Sequence, residues 1–232
     1  MPTPANCPGG TGYVPDAARQ LVAGGASVQL VDLGISGAVI GPDIESLGNA
    51  YGAGIPGNLL QNELPLFPAD STLVTILTGP NDALAIANAA AQGAGGSDPS
   101  AFISAQIQAF GRDYSALLSG IRSKAPSARV VVANVPNLAA LPFAAPLPAA
   151  QRGLLRQVSV GLSTQVINPL SSSGIRVVDL LCDNRSYVAA NYSPDGYHPN
   201  DAGYSVLATV MATAGTSSSY PAPQSTCPQM GS

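Results

Sequence analysis

Four short β-rich runs recur along the chain, at residues 27–33, 71–77, 129–134 and 175–180, and each stops in a polar or glycine-containing turn. Their apolar residues are nearly continuous: Leu73, Val74, Ile76 and Leu77 in the second, Val130 to Val132 in the third, Ile175, Val177 and Val178 in the fourth. Strands of that composition are buried on both faces, which a parallel sheet flanked by helices provides. Helix-length segments do lie between them. Residues 100–123 carry Ile103, Ile107, Phe110, Tyr114, Leu117 and Ile121 at helical spacing behind a Ser97-Asp98-Pro99 start signal. A second helix is expected over 149–170, with Leu154, Leu155, Val158, Leu162 and Val166 inward, and a third from Asp201, with Tyr204, Val206, Leu207 and Val210. The alternation predicts an α/β protein, a three-layer α/β/α sandwich around a parallel sheet. Chemistry in such sheets gathers beyond the carboxyl ends of the strands, where the turns at 34–37, 79–82 and 134–137 fall.

A chain of 232 residues suffices for one core without a metal or disulfide staple, so residues 1–215 are expected to form a single domain. Residues 216–232, rich in Ser and Pro, read as an irregular tail, and the glycine-rich stretch 48–56 as a connection bordering the site. Only 9% of residues are charged and the net charge is −4, with no Lys/Arg cluster, which argues against nucleic-acid binding. No apolar run reaches membrane-spanning length. Many small polar residues suit a secreted protein, although Met1-Pro2-Thr3-Pro4 lacks the basic and apolar regions of a signal peptide. The three cysteines, Cys7, Cys182 and Cys227, have no metal-ligand spacing, and with one histidine in the chain neither a metal nor another cofactor is expected. In an oxidising compartment Cys182, just after the last strand, is expected to pair with Cys227 on the tail.

The single histidine sits in Ser193-Pro194-Asp195-Gly196-Tyr197-His198-Pro199-Asn200-Asp201. A carboxylate three residues earlier on a tight turn can accept the Nδ1 proton of the imidazole and leave Nε2 as a general base. Taken alone, such a pair is more often a structural hydrogen bond. In the same way Asn81, at a strand end, could be no more than a turn residue capping the next helix.

Three turns in order carry a resemblance. Leu33-Gly34-Ile35-Ser36-Gly37, Thr78-Gly79-Pro80-Asn81-Asp82 and Asp195-Gly196-Tyr197-His198-Pro199-Asn200 resemble the second, third and fifth sequence blocks of the SGNH hydrolases, or GDSL-type esterases and lipases, over about residues 13–210. That resemblance implies a flavodoxin-like sheet and hydrolysis of carboxylic esters, thioesters or acetylated sugars. It also implies that Asp195 and His198 belong to a catalytic triad, with the Gly37 backbone N–H and the Asn81 side-chain amide as oxyanion donors. Pro80 replaces the usual second glycine of the third block, and Asp32 stands where asparagine is common.

The family's first block, a strand followed by Gly-Asp-Ser, has no counterpart in the chain, and no serine precedes Ser27. The resemblance therefore leads us to expect an N-terminally truncated sequence whose first strand and nucleophile lie before Met1. Asp70-Ser71 precedes its strand, and Ser97-Asp98 reads as a helix cap. Ser36, beside Gly37 at a strand-to-helix turn, is the internal candidate nucleophile, with Thr3, Thr11 and Cys7 weaker; the more ordinary reading of its hydroxyl is that it only orders the turn. The expected activity is that of a carboxylic-ester hydrolase acting on a small ester. Two alternatives are a non-catalytic remnant that binds an ester or glycan in the cleft, and a chain whose fold is completed by a partner, such as a second copy supplying the missing strand.

Overall fold

A computed structural model describes residues 12–231. In chain order it contains helices α1 (Tyr13–Ala23) and α2 (Pro42–Ala50), strand β1 (Leu73–Ile76), helices α3 (Pro80–Ala91) and α4 (Pro99–Lys124), strand β2 (Arg129–Ala133), helix α5 (Ala149–Gly161), strand β3 (Arg176–Val178) and helix α6 (Asp201–Thr216). Among the described residues the sheet has the order β1-β2-β3, all parallel, with Val74 opposite Val130 and Val132 opposite Val177.

The period-two alternation of β2 explains the layering. Val130 and Val132 pack with Ile76 and Val177 against Ile44, Ile86, Phe110 and Leu155, the apolar sides of α2 to α5. Val131 and Ala133 point the other way with Val178 and meet Ala17 of α1 and Leu207 and Met211 of α6. Val130 to Ala133 of β2 are thereby buried on both faces, β1 is half-buried up to Ile76, and the expected three-layer α/β/α arrangement results. The long helix α4 begins as its start signal predicts: the Asp98 side chain accepts from the Ala101 N–H at 2.9 Å, and Pro99 occupies the first turn.

Three expectations are corrected. Residues 27–33 join no strand in the described structure, and Leu30 and Val31 are 45% and 51% exposed. β propensity becomes a strand only against a pairing edge, and nothing described pairs with this run. The helix expected over 149–170 ends at Gly161 and continues as a π turn (Leu162–Ile167) and a 3₁₀ turn (Asn168–Ser173). Ser163 binds the backbone of Val135 twice, accepting from its N–H at 2.8 Å and donating to its carbonyl at 2.7 Å, and Pro169 removes a backbone donor. The connection at 48–56 is helical at its start, where Gly48 lets α2 approach its neighbours: a Cβ there would lie 2.2 Å from Ile55 Cδ1.

The structure joins Cys182 to Cys227, as expected, with their Cα atoms 5.7 Å apart. The tail is irregular apart from one 3₁₀ turn, Pro228–Met230. It is nevertheless held: the Gln224 N–H donates to Asp179 at 2.9 Å and the Asn137 amide to the Gln229 carbonyl at 2.8 Å. Cys7, Thr3 and Thr11 lie outside the described residues.

Candidate active site

Beyond the carboxyl end of β1 the chain turns through Gly79 directly into α3. Gly79 has φ +112°, and a Cβ would meet Val135 Cγ2 at 2.5 Å, so glycine is required on both counts. Pro80 takes the first helical position, where its missing N–H costs nothing. The departure at Pro80 is thus a good helix start that keeps Asn81 in place.

Asp82, not Asn81, caps this helix. Its buried carboxylate accepts from the Gly79 N–H at 3.1 Å and, across 42 residues of sequence, from the Ile40 N–H at 2.8 Å. Burial pushes its pKa up to about 7, against the lowering effect of those N–H groups and the Thr78 hydroxyl. Asn81 is left to reach outward. Its Nδ2 donates to the Ala38 carbonyl at 3.0 Å, and its Oδ1 accepts from the Tyr197 hydroxyl at 3.1 Å.

Ala38 follows a turn closed by its own N–H on the Ile35 carbonyl at 3.1 Å, with Ser36 and Gly37 at the corner and Gly37 at φ +87°. The Asp32 carboxylate accepts from the Gly34 N–H at 3.1 Å, and Glu63 from the Ile35 N–H at 3.1 Å, so side chains order the entry to this turn. Neither the Gly37 N–H nor the Ser36 hydroxyl has a hydrogen-bond partner among the described residues. The contact of Asn81 with Ala38 seats a side-chain amide on the residue that follows Gly37.

The third loop is braced from both ends. The Ser193 N–H donates to the His198 carbonyl at 2.8 Å, the Gly196 N–H to the Ser193 carbonyl at 2.8 Å, and the Phe143 N–H to the Gly196 carbonyl at 3.1 Å. Within it Asp195 Oδ1 accepts from the N–H groups of Tyr197 and His198 at 2.9 and 3.0 Å, while Oδ2 lies 2.7 Å from His198 Nδ1. The hydrogen bond to His198 and those two N–H groups hold the Asp195 carboxyl down at about 2, so it is ionised throughout the neutral range. Asn200 then caps α6, accepting from the Ala202 and Gly203 N–H groups at 3.0 and 3.1 Å.

The Tyr197 ring lies edge-on to His198, with centroids 4.9 Å apart, and edge-on to Phe143 at 5.2 Å. Asp195, His198, Asn81 and Gly37, each named from the sequence, are therefore brought to one place, linked through Tyr197 and Ala38. The histidine side chain is 37% exposed. Ser36 stands on the Gly37 turn but makes no hydrogen bond to His198. Sequence reasoning missed Asp82 and Tyr197 as parts of this arrangement. Asp82 had a readable signal, an acidic residue at the third helical position; Tyr197 had none, because its partner is 116 residues away.

The sequence matches the model of the GDSL-like lipase/acylhydrolase family over residues 4–206. Among solved structures, the chain is similar to the lipase Lip_vut3 from a goat rumen metagenome, with a TM-score of 0.56 and 18% sequence identity over 89% of this chain and 88% of that one. The extracellular lipase of Streptomyces rimosus is also similar, with a TM-score of 0.45 and 23% identity over 74% of this chain and 86% of that one. A comparison with curated proteins gives no match.

Proposed function

Because the chain belongs to the GDSL-like lipase/acylhydrolase family, we propose that it is a carboxylic-ester hydrolase whose Asp195-His198 pair serves as base and whose Gly37 and Asn81 donors receive the oxyanion. Family membership and the α/β fold support ester hydrolysis in general. The observation that carries the finer reading is the seating of the Asn81 amide, between the Ala38 carbonyl next to Gly37 and a tyrosine next to His198.

In this mechanism His198 Nε2 takes the proton of an attacking hydroxyl, which adds to the ester carbonyl. Negative charge then forms on the carbonyl oxygen and is met by the Gly37 N–H and the second N–H of Asn81 Nδ2. The imidazolium, stabilised by ionised Asp195, returns the proton to the leaving alcohol. Water, deprotonated by the same histidine, releases the acid from the acyl-enzyme.

Ser36 is the candidate nucleophile within the described residues. That it makes no hydrogen bond to His198 favours, as a second reading, a cleft that binds an ester or glycan without turning it over. Assay of p-nitrophenyl acetate hydrolysis with fluorophosphonate labelling separates the two. Turnover and a covalent adduct, both lost in Ser36→Ala, support Ser36 as nucleophile; saturable ester binding with neither turnover nor adduct supports the second reading. The Cys182–Cys227 bridge supports an extracytoplasmic setting for this activity.

A further inference from the structure

A side-chain amide can serve an oxyanion only if its nitrogen end faces the substrate, and nothing in an asparagine's shape decides which end that is. Two contacts decide it for Asn81. The Ala38 carbonyl can only accept, so it binds Nδ2 at 3.0 Å; the Tyr197 hydroxyl meets Oδ1 at 3.1 Å. One Nδ2 proton is used by Ala38, and the second has no partner among the described residues.

We propose that Tyr197 is a positioning residue that locks and polarises the Asn81 amide, so that the turn carrying the base also sets the oxyanion donor. The inference rests on the reading of Asn81 as an oxyanion donor given above. Hydrogen bonding to a carbonyl oxygen strengthens the same amide as a donor at nitrogen, because hydrogen bonds in a chain polarise one another. The phenol is suited to this task. Burial, and then the charges of Asp82 and Asp195, raise its pKa well above the usual tyrosine value, so it stays protonated wherever the base works.

The ring cannot easily move away. Its edge-on contacts with Phe143 and His198, at 5.2 and 4.9 Å, hold it on two sides. Its own N–H donates to Asp195 at 2.9 Å. Gly196 lets the turn lie against Phe143, since a Cβ there would come within 2.6 Å of the Phe143 nitrogen. Three consecutive functions are thereby fixed by one loop: Asp195 orients the base, Tyr197 orients the donor, and His198 is the base. A shift of this loop disturbs the base and the donor together.

The test is Tyr197→Phe, which keeps the ring contacts and removes only the hydroxyl, with thermal melts as a check on folding. With p-nitrophenyl acetate, kcat is expected to fall roughly 5- to 10-fold, the worth of one hydrogen bond, with KM within about two-fold and the pH profile unchanged. In an Asn81→Ala background the same substitution should cost nothing further. An undiminished kcat, or an equal loss in both backgrounds, overturns the proposal. A second readout does not depend on turnover. In protein labelled with ¹⁵N-asparagine, the Asn81 side-chain amide pair, identified by its loss in Asn81→Ala, must shift in Tyr197→Phe. If the wild type hydrolyses no ester but this shift occurs, the positioning stands and the hydrolase reading falls; an unshifted pair overturns the positioning whatever the activity.

Discussion

The backbone N–H of Ile40 donates to the buried Asp82 carboxylate at 2.8 Å, and with the Asn81 amide on the Ala38 carbonyl this bond ties the loop of Gly37 to the loop of Asn81. Among the described residues Asp82 forms no ion pair, and burial lifts it to about 7 from a carboxylate's ordinary value of about 4. Between those pH values the folded protein binds a proton that the unfolded chain has lost, so stability falls as pH rises from about 4 to about 7 and levels off above. We expect the melting temperature of the wild type to decline across that window through this group. Asp82→Asn should flatten the decline while lowering stability overall, since its amide nitrogen cannot accept from the Gly79 N–H. Parallel pH profiles for wild type and variant would refute the assignment.

For the base, His198→Ala should abolish ester hydrolysis, and Asp195→Asn should reduce kcat by up to about 10⁴-fold, by losing the carboxylate that holds the imidazole tautomer. Both side chains are substantially exposed, so the melts of the two variants should stay within a few degrees of the wild type. A collapse of stability with activity per folded molecule preserved would make the pair a structural contact.

For the donors, Asn81→Ala should lower kcat by about 10²- to 10³-fold with little change in KM, the signature of a contact made in the transition state. Gly37→Ala tests the turn separately. At φ +87° an alanine is strained by roughly 1 kcal/mol or more, which should lower the melting temperature by about 2–4 °C per kcal/mol in a chain of this size. A Gly37→Ala protein with unchanged melting and full activity would show that this turn is not under the constraint argued here.

The disulfide closes a loop spanning 45 residues, for which chain entropy predicts a stabilisation of about 4 kcal/mol. Reduction, or Cys227→Ser, should lower the melting temperature and expose residues 217–231 to proteases. Peptide mapping of non-reduced protein checks the bridge directly: a free Cys182 thiol would exclude it.

Much of the arrangement was legible before folding. The apolar continuity of Leu73–Ile76, Arg129–Ala133 and Arg176–Val178 called for a parallel sheet buried on both faces, and the spacing of Ile103 to Ile121 for the helix beside it. Asp195 and His198 are neighbours on one turn, so their pairing is local chemistry that a sequence can display. Residues 27–33 were misread for the opposite reason. Their composition favours a strand, but a strand is a property of two segments, and pairing is not written in either one.

The sequence by itself determined the helix α4 with its Asp98 cap and the Asp195-His198 pair, because each depends on residues a few positions apart. Only the tertiary structure decided what Asn81 does. As a residue at a helix start it was free to cap its own helix, and it does not, because Asp82 takes the Gly79 N–H while Ala38 and Tyr197, 43 residues before it and 116 after it, bind the two ends of its amide. An amide's direction is set by whichever donor and acceptor packing brings within 3 Å, and contacts between remote segments exist only once the layers have closed.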